Sequence, residues 1–506
     1  MRRPRLAPPL ALGLLAAVRA ATPVSAAPPT GGWAALPSIY PSFTAAKGVP
    51  LGVAAGPDGR MYAFGLFIDA GGDPTADYLA VYDPATRDWS GLGSNGQGNG
   101  AFNGQVSGVA FQGTKVVAVG SFTDVAGMTN VDYFAVWNGS SWSTRTGTGG
   151  NPFGSSIAGV DVEGSAIYVT GSFLNVDGVA TADRVAKWDG NTWSGLVPVG
   201  ALDGSLDGGG VKVDARPDGR VWVCGAFTNA AGDTKAGKLA YFDQVTSTWH
   251  GVREAGQAGP AFSNGFVFDF EFVGSRIYAS GLFTDVSGNP AADIVAMWTG
   301  SAWTNMGTSA ANAADGSGPL NNYAISLVPY GVTVIAAGLF TDAGGNTAAD
   351  QVAAWNGKSW LSLGSPNLAS GGAPYAGWGL VQGRVYTNPG TFTSVAGLAN
   401  TVGIAQFGLP GGPTAPISLA GTSGTASVSL SWAAPSNSGG SPLLDYVIQY
   451  RRVGARSWVT LNDGMKTTRT ATVTRLTRGA TYEFRVQAVN QWAGGAFTAP
   501  IRKVAG

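Results

Sequence analysis

The chain of 506 residues is poor in the residue types on which cross-links and many active sites depend. It has one cysteine, Cys224, and one histidine, His250. A single cysteine excludes an intramolecular disulfide. A single histidine excludes a histidine-rich copper or zinc centre. Because that histidine lies next to Trp249, which we expect to be structural, we also predict no Ser-His-Asp set. We therefore predict no cofactor and no metal, and we expect Cys224, which lies in an apolar run, to be a buried thiol.

Charge is also scarce, because charged residues make up 12% of the chain against a usual ~25%. The 78 glycines instead indicate a fold of turns and short strands. The formal net charge is zero, but residues 33–412 carry −11 and residues 413–506 carry +7. This asymmetry predicts two domains of different electrostatic character, and we predict no nucleic-acid partner.

The beginning of the chain has the order of a secretory signal peptide. A basic start, Met1 to Arg5, precedes an apolar stretch from Leu6 to Val18 and small residues up to Ala26. The alternative is a retained membrane anchor, but the apolar stretch contains prolines and is shorter than the ~20 residues that span a bilayer. We predict a signal peptide at residues 1–26 and a secreted, monomeric product without a membrane span.

A glycine, one small or apolar residue and a phenylalanine recur seven times, at intervals of 51 to 57 residues. Each phenylalanine is followed thirteen positions later by an alanine. This period is the size of one four-stranded unit. The glycines are Gly65, Gly120, Gly171, Gly225, Gly281, Gly338 and Gly390.

The second repeat shows how one unit is built. Short apolar segments cover residues 106–111, 115–122 and 133–137, and a fourth begins at Trp142. Asn138-Gly139 separates the last two and is a strong signal for a tight hairpin turn. Each repeat is thus predicted to be a four-stranded antiparallel sheet, and about seven such sheets can stack radially into a ring.

Two repeats contain a longer turn, Tyr82 to Trp89 and Phe242 to Trp249. This Tyr-Asp-x-x-x-x-x-Trp segment resembles the Kelch repeat, although Gly-x-Phe-Thr-Asp replaces the usual glycine pair. That variant resembles the repeats of the fungal cortical cell-polarity marker family and of related secreted bacterial proteins. The resemblance implies a Kelch-like seven-bladed β-propeller over residues 27–408.

The seventh repeat lacks a final tryptophan before Pro410. We predict that a strand near Trp33 completes it and closes the ring. Because the tryptophans recur at one place in each unit, we expect them to pack between sheets rather than to bind sugars. They are Trp33, Trp89, Trp142, Trp193, Trp249, Trp303 and Trp360.

Acidic residues recur after the Gly-x-Phe segment, as in Asp124 and Asp132 or Asp342 and Asp350. Two carboxylates around a glycine turn are a possible calcium site. The alternative is that they cap the turn by accepting backbone N–H bonds. We favour capping, because Asn175 and other residues replace the first acid in several repeats.

The segments that join one repeat to the next vary most, and recognition usually resides in such loops. Aromatic and acidic residues in them are candidate ligand contacts, while the alternative is that they only pack and solvate their own loops. The candidates are Phe102, Phe153, Asp207, Glu254, Phe262, Asp315 and Tyr375.

After a linker at residues 409–416 the pattern changes to period-two alternation over residues 417–506. Trp432 and Tyr482 match the core tryptophan and the tyrosine corner of a fibronectin type III domain, which this segment closely resembles. The resemblance implies an immunoglobulin-like β-sandwich. Its charge of +7 would suit a spacer that attaches to an anionic envelope polymer.

The sequence thus predicts an all-β, secreted, non-catalytic recognition or adhesion protein on the bacterial cell surface. A loop face of the propeller would bind an extracellular glycan or protein. The alternative is an extracellular polysaccharide-acting enzyme, a glycoside hydrolase or lyase, with carboxylates at the channel mouth. For that alternative the candidates on predicted first strands are Asp161, Asp214 and Asp269.

Overall fold

The computed structural model describes most of the chain between residues 32 and 506. The described ranges are 32–35, 48–84, 86–147, 150–309, 318–330, 333–363, 378–381, 384–387, 394–395, 398–399, 405–408, 412–438, 443–490 and 494–506. The predicted signal peptide lies outside them. The chain divides into two compact units, which we call the repeat unit, mostly Trp33–Val328 and Ile335–Gln406, and the C-terminal unit, mostly Phe407–Gly506.

The repeat unit contains separate four-stranded antiparallel sheets, each built from consecutive strands. Sheet 1 has β2 (Gly48–Ala55), β3 (Met61–Phe67), β4 (Leu79–Asp83) and β5 (Asp88–Gly91). Sheet 2 has β6 (Val106–Gln112), β7 (Lys115–Gly120), β8 (Phe134–Trp137) and β9 (Trp142–Ser143). Sheet 3 has β10 (Ile157–Glu163), β11 (Ala166–Gly171), β12 (Val185–Trp188) and β13 (Trp193–Gly195).

The next three sheets have the same order. Sheet 4 has β14 (Gly210–Ala215), β15 (Arg220–Gly225), β16 (Leu239–Asp243) and β17 (Thr248–Gly251). Sheet 5 has β18 (Phe266–Val273), β19 (Arg276–Leu282), β20 (Val295–Trp298) and β21 (Trp303–Asn305). Sheet 6 has β22 (Ala324–Tyr330), β23 (Thr333–Gly338), β24 (Val352–Trp355) and β25 (Trp360–Ser362).

Sheet 7 combines strands from both ends of the repeat unit, in the order β1, β30, β27, β26. These strands are β1 (Gly32–Ala35), β26 (Trp378–Val381), β27 (Arg384–Thr387) and β30 (Ala405–Gly408). A two-stranded sheet of β28 (Ser394–Val395) and β29 (Leu398–Ala399) lies between them in sequence. The first segment is therefore the edge strand of the sheet formed by the last repeat.

The first strands of successive sheets are neighbours. Strand β2 lies beside β6, β6 beside β10, β10 beside β14 and β14 beside β18, and β2 also lies beside β26. In sheets 1 to 5 the pairing of the first two strands shifts register once, just before Gly52, Gly108, Gly159, Lys212 and Asp269. A bulge of this kind re-aims the residue that follows it.

The closing tryptophans join successive sheets. Trp142 of sheet 2 donates its indole N–H to the carbonyl oxygen of Leu92, which follows sheet 1, at 2.6 Å. Four further tryptophans repeat this bond to the preceding repeat. The pairs are Trp193 with Arg145 (2.7 Å), Trp249 with Leu196 (2.9 Å), Trp303 with Val252 (2.7 Å) and Trp360 with Met306 (2.7 Å).

The acidic turns are capped by backbone hydrogen bonds. The N–H of Asp124, which has a left-handed φ of 54°, donates to the Asp132 carboxylate at 2.8 Å. The N–H of Asp342 donates to Asp350 in the same way, also at 2.8 Å. This is the capping geometry expected of short acidic side chains in turns. Among the described residues, no group of three or more His, Cys, Asp or Glu side chains is arranged to hold a metal ion.

The C-terminal unit has two sheets. The first pairs β31 (Ile417–Gly424), β32 (Ser427–Ala433) and β35 (Thr470–Val473). The second has the order β34, β33, β36, β37, with β38 also paired to β36. Its strands are β33 (Leu443–Arg452), β34 (Val459–Thr460), β36 (Thr481–Asn490), β37 (Gly494–Phe497) and β38 (Ile501–Val504).

The core of this unit is aromatic. The buried rings of Trp432 and Tyr446 meet edge to face at 5.4 Å. The hydroxyl of Tyr482 accepts a hydrogen bond from the N–H of Thr477 at 3.1 Å, as in a tyrosine corner.

The all-β class is confirmed, together with a C-terminal β-sandwich. The finer prediction of a closed seven-bladed Kelch propeller is not supported by these separate sheets and stays a hypothesis. No helix in the described part of the chain is both long and apolar enough to cross a membrane.

Candidate functional site

A buried lysine is the centre of the strongest cluster of charge in the repeat unit. Lys212 on β14 is 1% exposed. Its ammonium donates to Asp269 Oδ1 at 2.6 Å, to Glu271 Oε1 at 2.7 Å and to the Phe270 carbonyl oxygen at 2.6 Å, all on β18. All three N–H groups of the ammonium are therefore satisfied, which offsets much of the cost of burying the charge.

Asp269 also connects this cluster to sheet 6. Its Oδ2 accepts a hydrogen bond from the N–H of Leu327 at 2.7 Å and one from the Ser326 hydroxyl at 3.3 Å. One carboxylate thus links the first strands of sheets 4, 5 and 6.

The other two acids that the sequence placed on first strands lie on β10 and β14. Asp161 Oδ2 accepts a hydrogen bond from the N–H of Ala215 at 2.7 Å, which joins sheet 3 to sheet 4. Asp214 is buried, and its Oδ2 lies 3.7 Å from the guanidinium of Arg216. Asp161 and Asp269 therefore each tie a first strand to the next one.

The electrostatics of the cluster favour a charged lysine. Burial alone would lower the pKa of Lys212, but the charges of Asp269 and Glu271 outweigh it and hold the pKa above its usual range. Burial raises the pKa of Glu271 to about 7, since desolvation, with the added charge of Asp269, exceeds the attraction of Lys212. Burial likewise raises the pKa of the adjacent Cys224 thiol, so this thiol is a poor nucleophile.

The three predicted loop phenylalanines lie in the core. Phe102 is 4% exposed, and Phe153 and Phe262 are each 2% exposed. Phe102 meets the rings of Phe122 and Trp142 edge to face at 4.8 and 4.9 Å. Phe153 and Phe262 make the same pair of contacts in their own repeats. These rings pack against the Gly-x-Phe phenylalanine and the closing tryptophan.

The acidic loop candidates are placed differently. Asp207 is exposed and accepts hydrogen bonds from the N–H groups of Thr228 (2.7 Å) and Asn229 (3.1 Å). Burial raises its pKa, but the hydrogen bonds from Thr228 and Asn229 outweigh that effect and lower it. Glu254 is half-buried in its own loop, where its N–H donates to Gln257 at 3.2 Å. Asp315 and Tyr375 lie outside the described residues. Ligand contact by the seven loop candidates stays a prediction.

The C-terminal unit carries a second cluster, on the outer face of its five-stranded sheet. We call this cluster the arginine–aromatic face. It consists of Arg451, Trp458, Glu483, Arg485, Phe497 and Arg502.

Stacking and hydrogen bonds hold its guanidinium groups in place. The Arg485 guanidinium lies 4.1 Å from the ring centre of Trp458 and 4.1 Å from that of Phe497. Arg451 lies 4.4 Å from the same Trp458 ring. Gln449 Oε1 accepts from Arg485 Nε at 3.0 Å and Nη2 at 2.6 Å. Arg485 is thus fixed between two rings.

Glu483 is the acid at the centre of this face. It accepts from Arg451 Nε at 2.8 Å and from Arg502 Nη2 at 2.9 Å. Arg502 Nε donates to it as well, at 3.0 Å, and the hydrogen bonds from Arg451 and Arg502 lower its pKa. Three arginines around one carboxylate leave the face with a net positive charge.

The C-terminal part of the chain is similar to a known protein family. The model of the Fibronectin type III domain matches residues 413–504. This segment is a fibronectin type III domain. The sequence resemblance is therefore confirmed, and the β-sandwich is the fold of that family.

Relatives among curated proteins are similar over a short segment. Myomesin-2 of Homo sapiens and "M-protein, striated muscle" of Gallus gallus are each 41% identical over 64 residues, covering 13% of this chain and 4% of the relative. The chain thus spans about 4% of the length of these relatives. The solved structure "Titin kinase and its flanking domains" is 25% identical over 19% of this chain and 17% of that chain, with a TM-score of 0.18.

These relatives correct two predictions. They are muscle proteins and not secreted adhesion proteins, so the predicted secreted recognition or adhesion function is wrong, and so is the alternative of an extracellular polysaccharide-acting enzyme. The predicted extracellular location is wrong for the same reason. The predicted bacterial cell-surface location is part of the same correction, and carbohydrate binding is not shown. The predicted glycan, protein and envelope-polymer partners stay untested.

Sequence reasoning named Asp269 as a candidate, but it did not predict how the residues of either cluster are paired. Lys212 pairs with Cys224 and Asp269 with Ser280, the residues just before the repeat glycines Gly225 and Gly281, so they occupy equivalent places in neighbouring sheets. Aligning the repeats by those glycines pairs them only after a gap of one residue in the turn between the first two strands, since the offsets are 13 and 12 residues. For the fibronectin type III domain, period-two alternation places Arg451 and Arg485 on the outer face, but the approach of Trp458 depends on the turn before β34.

Proposed function

We propose that the protein is a non-enzymatic, multidomain structural protein. Its repeat unit acts as a rigid scaffold of seven radially arranged sheets, and its fibronectin type III domain docks onto another protein. The similarity to two muscle proteins supports a muscle-type multidomain protein.

Three features of the repeat unit support the radial scaffold. The first strands of successive sheets are neighbours, and β2 neighbours β26 of sheet 7. Sheet 7 includes β1 from the other end of the unit, as expected if the segment near Trp33 closes a ring. Five tryptophans bond to the preceding repeat. Each sheet then gains stability from its neighbours, which suits a scaffold.

The docking role is inferred from the arginine–aromatic face. Tryptophan and arginine are the residues that contribute most at protein interfaces. Side chains already held in one conformation lose little entropy on binding. Arg485, stacked between Trp458 and Phe497 and bonded to Gln449, meets that condition.

Site-specific photo-cross-linking in cells that produce the full chain tests the docking role. A benzoylphenylalanine at Thr460, exposed on β34 beside the face, is expected to form an adduct with one discrete protein. The control position is Thr472, exposed on the other sheet of the domain. No adduct from position 460, or the same adducts from both positions, would contradict docking through this face.

A further inference from the structure

We infer that the arginine–aromatic face binds an acidic, extended peptide segment of its partner. The inference rests on the docking function proposed above and names the chemistry of the partner. It is argued from charge and from the way in which the arginines are held.

The charge of the domain points to an acidic partner. Residues 413–506 contain ten Lys and Arg residues and three Asp and Glu residues, a net charge of +7. On the face itself, the single acid Glu483 is already bonded to Arg451 and Arg502. Complementary charge steers association and suppresses partners of the same sign.

The geometry of the arginines fits carboxylates. A guanidinium has five N–H donors in one plane, and this fork matches a carboxylate with two parallel hydrogen bonds. Gln449 engages the Nε and Nη2 atoms of Arg485, while the ring centres of Trp458 and Phe497 each lie 4.1 Å from its guanidinium. The other N–H donors of a guanidinium lie in its own plane, so a carboxylate approaches them edge-on.

The arrangement of the face favours an extended segment over a single ion. Arg451 and Arg485 lie on adjacent paired strands, where Gln449 pairs with Arg485 and Arg451 with Glu483. Arg502 follows on β38, where it pairs with Glu483, and its side chain is 68% exposed. The three arginines therefore surround Glu483: Arg451 and Arg502 pair with it on either side, and Arg485 lies two residues along β36. Carboxylates on alternate residues of an extended peptide repeat at about 7 Å, which is also the spacing of two residues along β36, so a peptide lying along β36 can meet Arg485 and then the Arg451 and Arg502 pair.

Fluorescence anisotropy with the full chain tests this inference. The probes are a labelled peptide of eight glutamates, the corresponding peptide of eight glutamines, and vesicles containing phosphatidylserine. We expect the glutamate peptide to bind, with an affinity that falls as salt rises. Equal binding of both peptides, or binding to the vesicles only, overturns the inference.

Variants show whether peptide binding depends on the arginine–aromatic face or only on the net charge of the domain. Arg485→Gln is expected to weaken binding roughly tenfold, whereas Arg478→Gln, which removes the same charge at an exposed turn outside the face, should change it less than twofold. Arg485→Lys keeps the charge but not the planar fork, and should also weaken binding several-fold. Equal losses from Arg485→Gln and Arg478→Gln overturn the inference.

Folding and docking failures are distinguished in the same experiment. Thermal melting checks each variant, and Arg502→Gln, whose side chain is largely exposed, replaces Arg485→Gln if the latter does not fold. Cross-linking from Thr460 without binding of the glutamate peptide leaves the docking function standing and refutes the acidic partner.

Discussion

At the scale of single residues, Lys212 shows how a charge can be used inside a repeat protein. Its ammonium is buried between sheets 4 and 5 and bonded to two carboxylates and one carbonyl oxygen. Replacing a whole buried ion pair by apolar residues is often neutral, but removing one partner leaves an uncompensated buried charge.

Lys212→Met is therefore expected to destabilise the repeat unit by about 3–5 kcal/mol. Asp269 and Glu271 would lose their shared cation and repel one another. Urea denaturation measures the free energy of unfolding. Lys115→Met, at an exposed lysine of sheet 2, is the control and should change it by less than about 0.5 kcal/mol. A similar small effect at Lys212 would show that the cluster relaxes or hydrates without cost.

The second residue-scale prediction concerns pH. Because the pKa of Glu271 is raised to about 7 in the folded chain, the folded state binds more protons than the unfolded state between about pH 4.5 and pH 7. Stability is then fully present below that window and falls as pH rises through it, by on the order of 3 kcal/mol.

Glu271→Gln should remove this slope while keeping an oxygen acceptor for Lys212. Denaturation at several pH values from about 5 to 8 measures it. Histidine also changes charge in this range, so His250→Gln is the control and should leave the slope in place. A slope that survives in Glu271→Gln would assign it to another group.

Sequence reasoning reached some of these residues and not their pairings. Asp161, Asp214 and Asp269 were expected on first strands, where they do lie. Their partners depend on which strand lies beside which, and that is a property of the tertiary structure. Phe102 was proposed for ligands because its loop varies in sequence. Its burial follows from a regularity hidden in that variation, since Phe102, Phe153 and Phe262 precede the repeat phenylalanines by 20 or 21 residues.

At the scale of elements, each closing strand holds its sheet to the one before. Period-two alternation and the Asn-Gly turn predicted these strands well, because both are local properties. Sheet 6 offers a comparison within one hairpin, since Trp355 and Trp360 pair across it. Both side chains are buried. The indole N–H of Trp360 donates to the Met306 carbonyl oxygen at 2.7 Å, whereas the indole N–H of Trp355 has no acceptor among the described residues.

Trp360→Phe is therefore expected to cost about 1–3 kcal/mol more than Trp355→Phe. Both substitutions remove similar apolar volume, but only the first leaves a buried carbonyl group without its donor. Chemical denaturation of the two variants measures the difference. Equal losses would mean that apolar packing alone holds sheet 6 to sheet 5.

At the scale of the whole molecule, the sequence predicted the all-β class, the repeat count and the fibronectin type III domain from periodicities and motif spacing. It did not predict the function, because the repeated residues are those that build the sheets. How the sheets are arranged around one another depends on contacts between distant segments. Whether the sheets form a closed ring depends on strand β1.

In a closed ring, β1 joins the beginning of the repeat unit to its last repeat. Removing residues 1–38 would leave β30 with an unpaired edge and open the ring between sheets 7 and 1. We expect the single melting transition of the repeat unit to broaden or split, since repeats that contact only one neighbour unfold from the end. Calorimetry of the full chain and of the shortened chain measures the change.

A chain that lacks only residues 1–27 is the matched control, because it keeps β1 and should melt like the full chain. Two further outcomes decide the architecture. If both shortened chains melt as sharply as the full chain, β1 does not close the sheets, and an open row of stacked sheets replaces the ring. If adding a peptide of residues 28–38 restores the sharp transition, closure through pairing with β30 is the direct cause, since the peptide supplies the missing strand without a covalent link.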